Sequence, residues 1–305
     1  MYDLIIIGGG PAGITAGIYA ARQKLNTLLI TKDFGGQVAK KAVAIENYPG
    51  FEEISGIELI GKFKKHLKGQ EVEIREEEVT GVEKTKGHFF ISTAKNNKFD
   101  AKALIAASGA EPRHLGVPGE EELTGKGVSY CAVCDGPLFS GKTVAVIGGG
   151  NSGFETALFL VNLAEKIYIL EYGSGVKADK ENQEAVKKSG KVEIITEAAV
   201  KEIRGDSFVN SIVYQDRQSQ KEKTLSLEGV FVEIGYKPSS SFIKNLVDLN
   251  ENKEIEVDKE TYQTKTPGLF AVGDVNVGKF KQIVIACGEG AKAALAAFNY
   301  LKKYE

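Results

Sequence analysis

The sequence predicts an α/β protein built from two parallel-sheet units, and three observations carry that prediction. The chain opens with YDLIIIGGGPAGITAGIYAARQKLNTLLI, which reads as an apolar strand, a glycine-rich turn, an alanine-containing helix and a second apolar strand. The same order returns from Lys142 in KTVAVIGGGNSGFETALFLVNLAEKIYILE. At 305 residues the chain is long for one hydrophobic core and comfortable for two domains. The expected fold class is α/β with two Rossmann-like dinucleotide-binding domains.

Each turn reads G-x-G-x-x-G, with Gly8, Gly10 and Gly13 in the first and Gly148, Gly150 and Gly153 in the second. The first glycine permits a tight exit from the strand. The second lets a pyrophosphate approach the backbone, and the third lets helix and strand pack closely. The helix start then offers free N–H groups and the positive end of its dipole. Pro11 and Ala12 in the first turn, and Asn151 and Ser152 in the second, complete the cofactor-facing segments. One such motif is weak evidence; two, each between a strand and a helix, are strong. A ribose-binding acid is expected where the second strand ends. Glu171 stands there in the second unit, where a carboxylate accepts bonds from an NADH ribose and repels the 2′-phosphate of NADPH. In the first unit Thr31 takes that place, offering a hydroxyl to a ribose, and Lys32 follows with a charge for a phosphate.

Hydrophobic residues make up 42% and charged residues 26%, ordinary for a globular protein. A net charge of -2 gives no basic surface from which to argue nucleic-acid or anionic-membrane binding. MYDLIIIGGG lacks the basic start and long apolar run of a signal peptide, and no stretch approaches a membrane span. A cytoplasmic location is expected. Three cysteines make no disulfide framework, and a cytosolic C-x-x-C is catalytic or metal-binding more often than structural. Cys131 and Cys134 in VSYCAVCDGPLF are open to three readings: a zinc half-site, a structural disulfide or a working dithiol. An all-cysteine zinc site needs four thiolates, and His66, His88 and His114 form no second close pair, so no metal is expected. Cys287, among small apolar residues, reads as a buried inert thiol. Two dinucleotide units with a dithiol between them suggest a relay from nicotinamide through flavin to disulfide, with the flavin on the first unit.

At this point the chain resembles the low-molecular-weight thioredoxin reductase family over its whole length. GGGPAG, GGQV, ENYPGF, ASGAEPR, VSYCAVCDG, GGGNSG, IGYKP, FAVGD and KQIVIACGEGAKAA match in order as well as in content. YCAVCDGPLF and KQIVIACGEGAKAALAAFNYL are also similar to the reductase core of the NADH-dependent alkyl hydroperoxide reductase flavoprotein. That flavoprotein carries an extra N-terminal thioredoxin-fold segment. The first fingerprint of this chain starts at its N-terminus, so its dithiol is expected to serve a separate protein.

The resemblance implies an interrupted layout: an FAD-binding domain in two parts, 1–113 and 243–305, with an NAD(P)H-binding domain carrying the dithiol inserted at 114–242. The joins, near EPRHLGVPG and YKPSSSF, are rich in Pro, Gly or Ser, as linkers tend to be. The FAD contacts it implies are the first fingerprint, then Gly35, Gly36, Gln37, Asn47, Val79 and Gly109, and later Gly273, Asp274, Gln282 and Ile283. Ile234 and Gly235 are further cofactor contacts, as is Lys177, and Lys177 and Lys180 keep NADPH open beside the favoured NADH. NADPH-using members show a His-Arg-Arg start where this chain has Glu171, Tyr172 and Gly173. Cys134 would face the flavin, Cys131 would attack the substrate disulfide, and Asp135 would protonate the leaving thiolate. The implied partner is thioredoxin or a similar small dithiol protein, and the implied assembly is a homodimer. Ferredoxin or reduced flavin as donor, a dithiol oxidase, service to a peroxiredoxin system and a non-catalytic redox sensor are the competing readings. The intact second fingerprint and dithiol argue against a changed donor and against a sensor.

Overall fold

The computed structural model describes residues 1–41 and 45–303. It divides into two compact units, Met1–Glu111 with Tyr236–Glu305, and Pro112–Gly235.

The first unit is built from β1 (Tyr2–Gly9), α1 (Pro11–Arg22), β2 (Thr27–Phe34), α2 (Gly36–Lys41), α3 (Gly56–Lys68), β3 (Val72–Glu76), β4 (Val79–Thr85), β5 (His88–Thr93), β6 (Lys98–Ala106) and β7 (Ala110–Pro112). Its sheet runs β3-β2-β1-β6-β5-β4. The β1, β2, β3 and β6 pairings are parallel, while β4 and β5 form an antiparallel hairpin. Leu4, Ile5, Ile6 and Ile7 of β1 are buried on both faces, as a central parallel strand requires. Alternate residues feed opposite cores, Leu4 and Ile6 one cluster, Ile5 and Ile7 the other. Each fully buried Leu, Ile or Phe stabilises by about 1.5–3 kcal/mol.

The second unit contains β8 (Val128–Ser129), α4 (Ala132–Asp135), β9 (Thr143–Ile147), α5 (Asn151–Leu160), β10 (Lys166–Leu170), α6 (Lys180–Ser189), β11 (Val192–Ile195), β12 (Ala198–Gly205), β13 (Val209–Asp216), β14 (Glu222–Ser226) and β15 (Gly229–Val232). Its parallel sheet runs β11-β10-β9-β15-β8, and β12-β13-β14 form a separate antiparallel sheet. The dithiol follows directly on the edge strand β8.

The chain returns to the first unit through β16 (Tyr236–Pro238), β17 (Leu269–Ala271) and α7 (Ile283–Leu301). β16 pairs with β7, and β17 joins β6 in parallel. The return comes at Gly235/Tyr236 and not after residue 242 as the resemblance implied. Ser239 N donates to Gly109 O at 3.0 Å, Ser108 Oγ donates to Ser239 O at 2.7 Å, and Ile243 is buried beside Ile5 and Leu104. Those contacts hold 236–243 in the first unit.

Candidate functional site

In each unit the sheet order reverses beside the strand that leads into the glycine turn. β1 leads through α1 to β2 on one side while β6 lies on the other; β9 leads through α5 to β10 while β15 lies on the other. A crevice opens at the carboxyl ends of the strands at such a switch point, and nucleotides bind there.

The glycines of the two turns divide in the same way in both units. A Cβ on Gly8 would lie 2.1 Å from Ala107 O, and one on Gly148 would lie 2.4 Å from Glu233 O. Both residues adopt left-handed φ, 120° and 122°. A Cβ on Gly13 or Gly153 would fall 1.9 Å from the carbonyl oxygen of Gly8 or Gly148, so helix and turn touch through backbone alone. Around Gly10 and Gly150 a Cβ would meet nothing within 4 Å. Those two positions cap α1 and α5 without a side-chain hydrogen bond, leaving backbone donors aimed into an open cradle. Pro11, Ala12, Asn151 and Ser152 occupy the first helical turns. The cradle therefore fits a dinucleotide pyrophosphate in each unit.

Around the first cradle the structure gathers most of the implied flavin contacts. Gly35 N donates to Gly9 O at 2.8 Å, and a Cβ on Gly35 would strike Ala39 and Ile60. Gly36 opens α2, and the Gln37 amide donates to Ala110 O, beside Gly109. Asn47 Nδ2 donates to Gln282 Oε1 at 3.3 Å, where Gln282 caps α7; Ile283 packs with Ile45, Ile54 and Leu59. Parallel to β6, β17 delivers Gly273 and Asp274 to the same edge, and a Cβ on Gly273 would lie 3.2 Å from Ala12 Cβ. Burial pushes the Asp274 carboxyl up, opposed by the charge of Lys281. Val79 opens β4 two residues after Glu77, whose N–H donates to Thr31 O at 2.8 Å. Thr31 is buried with its hydroxyl donating to Asp33 O, and Lys32 pairs with Glu78 at 3.2 Å. Cys287 is half-buried rather than buried, with Sγ 3.9 Å from both Pro11 O and the Tyr48 hydroxyl; burial pushes the thiol up.

In the second unit Glu171 is fastened at both oxygens. Gly149 N donates to Oε2 at 2.6 Å and Gly173 N to Oε1 at 2.7 Å. Lys177 N donates to Gly149 O at 2.8 Å, which folds its segment over the turn and leaves the side chain exposed. Asn151 exchanges two hydrogen bonds with Asp179 at 2.8 and 3.0 Å. Ile234 Cγ2 lies 3.6 Å from the Cβ position of Gly148, and Gly235 follows with φ of 93°.

Cys131 and Cys134 form a disulfide with Cα atoms 5.3 Å apart. Cys131 caps α4 and is half-buried, and Cys134 is exposed. Asp135 Oδ2 accepts from Ser129 Oγ at 2.6 Å, and Ser129 Oγ in turn accepts from Cys131 N at 3.1 Å. Burial pushes the Asp135 carboxyl up, and the Ser129 bond draws it back. Among the described residues no group of three or more His, Cys, Asp or Glu could hold a metal ion.

Three residues of this machinery were not read from the sequence. Ser129 links Asp135 to Cys131, with no signal beyond its nearness to the dithiol. Glu233 closes the apolar run GVFVE, so an acid at a strand end was the available signal. Glu289, buried in α7, accepts from Gly273 N and Asn276 Nδ2, each at 2.7 Å. Its signal was a lone acid in a stretch of small residues.

A family model described as pyridine nucleotide-disulphide oxidoreductase matches residues 2–290. The chain belongs to the pyridine nucleotide-disulphide oxidoreductase family. Within the family it is 43% identical over 305 residues to a subunit of the alkyl hydroperoxide reductase of Pseudomonas aeruginosa, covering 98% of this chain and 58% of that protein. It is 40% identical over 300 residues to a Bacillus subtilis protein named NADH dehydrogenase, again 98% of this chain and 58% of the other. The chain thus spans less than two thirds of the curated relatives it matches. Among solved structures, thioredoxin reductase from Streptococcus pyogenes superposes with a TM-score of 0.94 at 37% identity, covering 99% of each chain. Thioredoxin reductase from Giardia duodenalis gives 0.93 at 34% identity, with 99% of each chain covered. No helix among the described residues is long and apolar enough to cross a membrane.

Proposed function

We propose that this family member is an FAD-dependent disulfide reductase that takes hydride from NADH and passes two electrons through Cys131 and Cys134 to thioredoxin or a similar small dithiol protein, in a reducing, cytoplasmic setting. The supporting observation is one chain that joins two glycine cradles of matching geometry to a Cys131–Cys134 disulfide, exposed at Cys134 and backed by a half-buried Asp135. The first cradle, with Gly35, Gln37, Asn47, Gly109, Asp274 and Gln282 around it, would hold FAD, and the second the nicotinamide nucleotide. Bound FAD supplies the chemistry that converts a hydride into the two electrons a disulfide takes up. The domain roles follow: 1–111 with 236–305 for FAD, and 112–235 for NADH and the dithiol.

The protein's own part is proton and thiol management. Reducing an acceptor disulfide to two thiols consumes two electrons and two protons, one proton arriving with the NADH hydride equivalent and one from solvent. Cys131 would attack the acceptor and Cys134 would resolve the mixed disulfide. Asp135, with its pKa raised by burial, would donate the proton to the departing thiolate. Glu171, held by two backbone donors, would read the ribose hydroxyls and disfavour a 2′-phosphate, which is the reason NADH is preferred over NADPH.

A second acceptor, a peroxiredoxin-type system, is supported by the likeness to the alkyl hydroperoxide reductase protein of Pseudomonas aeruginosa. One experiment addresses both points. The FAD-loaded protein is titrated anaerobically with NADH and with NADPH while flavin absorbance is followed, and the reduced protein is then offered thioredoxin or a peroxiredoxin. Bleaching at lower NADH concentration and reduction of thioredoxin are expected. Bleaching by dithionite alone would refute the nicotinamide assignment, and reduction of only the peroxiredoxin would move the acceptor.

A further inference from the structure

We propose that Tyr172, backed by Arg217, is the stacking platform for the adenine ring of the nucleotide bound at the second glycine turn. The proposal rests on the reading above, that this turn takes a nicotinamide dinucleotide.

Tyr172 directly follows Glu171, whose carboxyl group is pinned to Gly149 N and Gly173 N. In an adenosine the base is attached at the ribose carbon next to the 2′-hydroxyl. A side chain adjoining the residue that reads that hydroxyl therefore stands where the base must lie. Tyr172 is 63% exposed, so an aromatic surface is available beside the carboxylate. One of its faces is already taken: the Arg217 guanidinium carbon sits 4.0 Å from the ring centroid. The opposite face is left to solvent.

The platform is rigid. Arg217 Nη1 donates to Tyr172 O at 3.0 Å and to Glu197 Oε2 at 2.9 Å. Arg217 N donates to Glu197 O at 2.8 Å, and Glu197 N donates to Gly173 O at 2.9 Å. Three segments, the end of β10, the start of β12 and the turn after β13, are laced together around one ring. Glu197 takes a left-handed φ of 56° at the turn into β12, which brings its N–H and C=O to Gly173 and Arg217. The Arg217 charge is already met by Glu197, so this guanidinium serves as a stacking partner rather than as a free phosphate receptor.

The first unit provides an internal control. Matching Gly8 to Gly148 places Thr31 on Glu171 and Lys32 on Tyr172. Lys32 is a solvent-exposed lysine paired with Glu78 at 3.2 Å, an ion pair where the second unit has the Tyr172–Arg217 stack. The aromatic platform is thus a property of the second turn and not of the strand–turn–helix device.

The test separates the two halves of the nucleotide. ADP-ribose, which lacks nicotinamide, is titrated calorimetrically into the FAD-loaded protein. NADH and reduced nicotinamide mononucleotide, which lacks adenosine, are compared by the concentration that half-reduces the flavin under anaerobic conditions. Tyr172→Ala is expected to weaken ADP-ribose and NADH by about ten- to a hundredfold, leaving the mononucleotide unchanged, while Tyr172→Phe stays within about twofold of wild type for all three. An equal loss for the mononucleotide, or no loss for ADP-ribose, would overturn the platform. So would an Arg217→Ala variant that loses NADPH affinity while keeping that for NADH, because the guanidinium would then be a phosphate reader. Wild type that binds ADP-ribose in a Tyr172-dependent way but is not bleached by NADH would support the platform and refute only the hydride-entry reading.

Discussion

Glu233 shows how one residue can distinguish two copies of the same device. Its carbonyl abuts Gly148 as that of Ala107 abuts Gly8, and its Oε1 accepts from Thr156 Oγ1 at 2.9 Å, where the first unit has Ala16 in the matching position. An apolar Ala–Ala pair has become a hydrogen-bonded pair of half-buried Glu233 and buried Thr156. Burial, helped by the nearby charge of Glu155 and opposed by the Thr156 bond, pushes the Glu233 carboxyl up to about 7. The folded protein therefore holds this proton more tightly than the unfolded chain does. The resulting stabilisation is complete below the unfolded pKa and is lost as pH rises through about 7, amounting to about 3 kcal/mol. Glu233→Gln should remove that component: in urea titrations from acid to mildly alkaline pH, its midpoint should fall less than that of wild type. Parallel curves would show that Glu233 does not carry this dependence. Ser129 acts in the opposite sense on Asp135, since its bond favours the charged carboxylate that burial opposes. Ser129→Ala should thus raise the Asp135 pKa further and move the corresponding limb of the disulfide-reduction pH profile to higher pH. A lower rate with an unmoved limb would assign Ser129 to shaping the Cys131 turn alone.

At the scale of the strand–turn–helix element, glycines of one motif divide into two kinds. Gly153 has no room for a Cβ, since the Gly148 carbonyl lies 1.9 Å from where it would sit, whereas Gly150 has nothing within 4 Å. Gly150 also has ordinary extended backbone, with φ of -88° and ψ of -177°. Gly153→Ala should therefore destabilise by about 3 kcal/mol, by forcing β9 and α5 apart. Gly150→Ala should leave the thermal midpoint nearly unmoved, within about 0.5 kcal/mol of stability, and still weaken NADH by at least about tenfold, because its methyl group would occupy the phosphate's place. Equal loss of stability in both variants would contradict this division. The pattern was legible in the sequence because the spacing of Gly148, Gly150 and Gly153 encodes local geometry. Glu289 was not legible in the same way. Its partners Gly273 and Asn276 lie on a different segment, and only the fold brings α7 beside the loop after β17. Arg217 and Tyr172 were hidden for the same reason.

Across the whole molecule, the repeated fingerprint announced two α/β units, but the sequence placed the second join too late. YKPSSSF has the composition of a linker, yet Ser239 bonds to Ser108 and Gly109, and Ile243 is buried in the first unit's core. Composition reports chain flexibility only where tertiary hydrogen bonds do not claim the segment. The true return at Gly235/Tyr236 has a consequence for folding. Residues 112–235 are one uninterrupted stretch with their own buried clusters, one around Val230 and Ile147 and one around Phe154 and Phe231. The stretch leaves and re-enters through β7 and β16, which pair with each other, so the ends of the surrounding unit already lie side by side. Two excised proteins are therefore expected to fold: residues 112–235 alone, and residues 1–111 joined to 236–305 by a short glycine-serine linker. Each should unfold in one cooperative transition, as domains with their own cores do. The first should bind ADP-ribose without flavin colour, and the second should purify yellow with FAD and without disulfide chemistry. A colourless second protein with intact cooperative unfolding would show that the FAD site draws on residues of 112–235. A first protein without a cooperative transition would show that its clusters are too small to stand without the unit that encloses it in sequence.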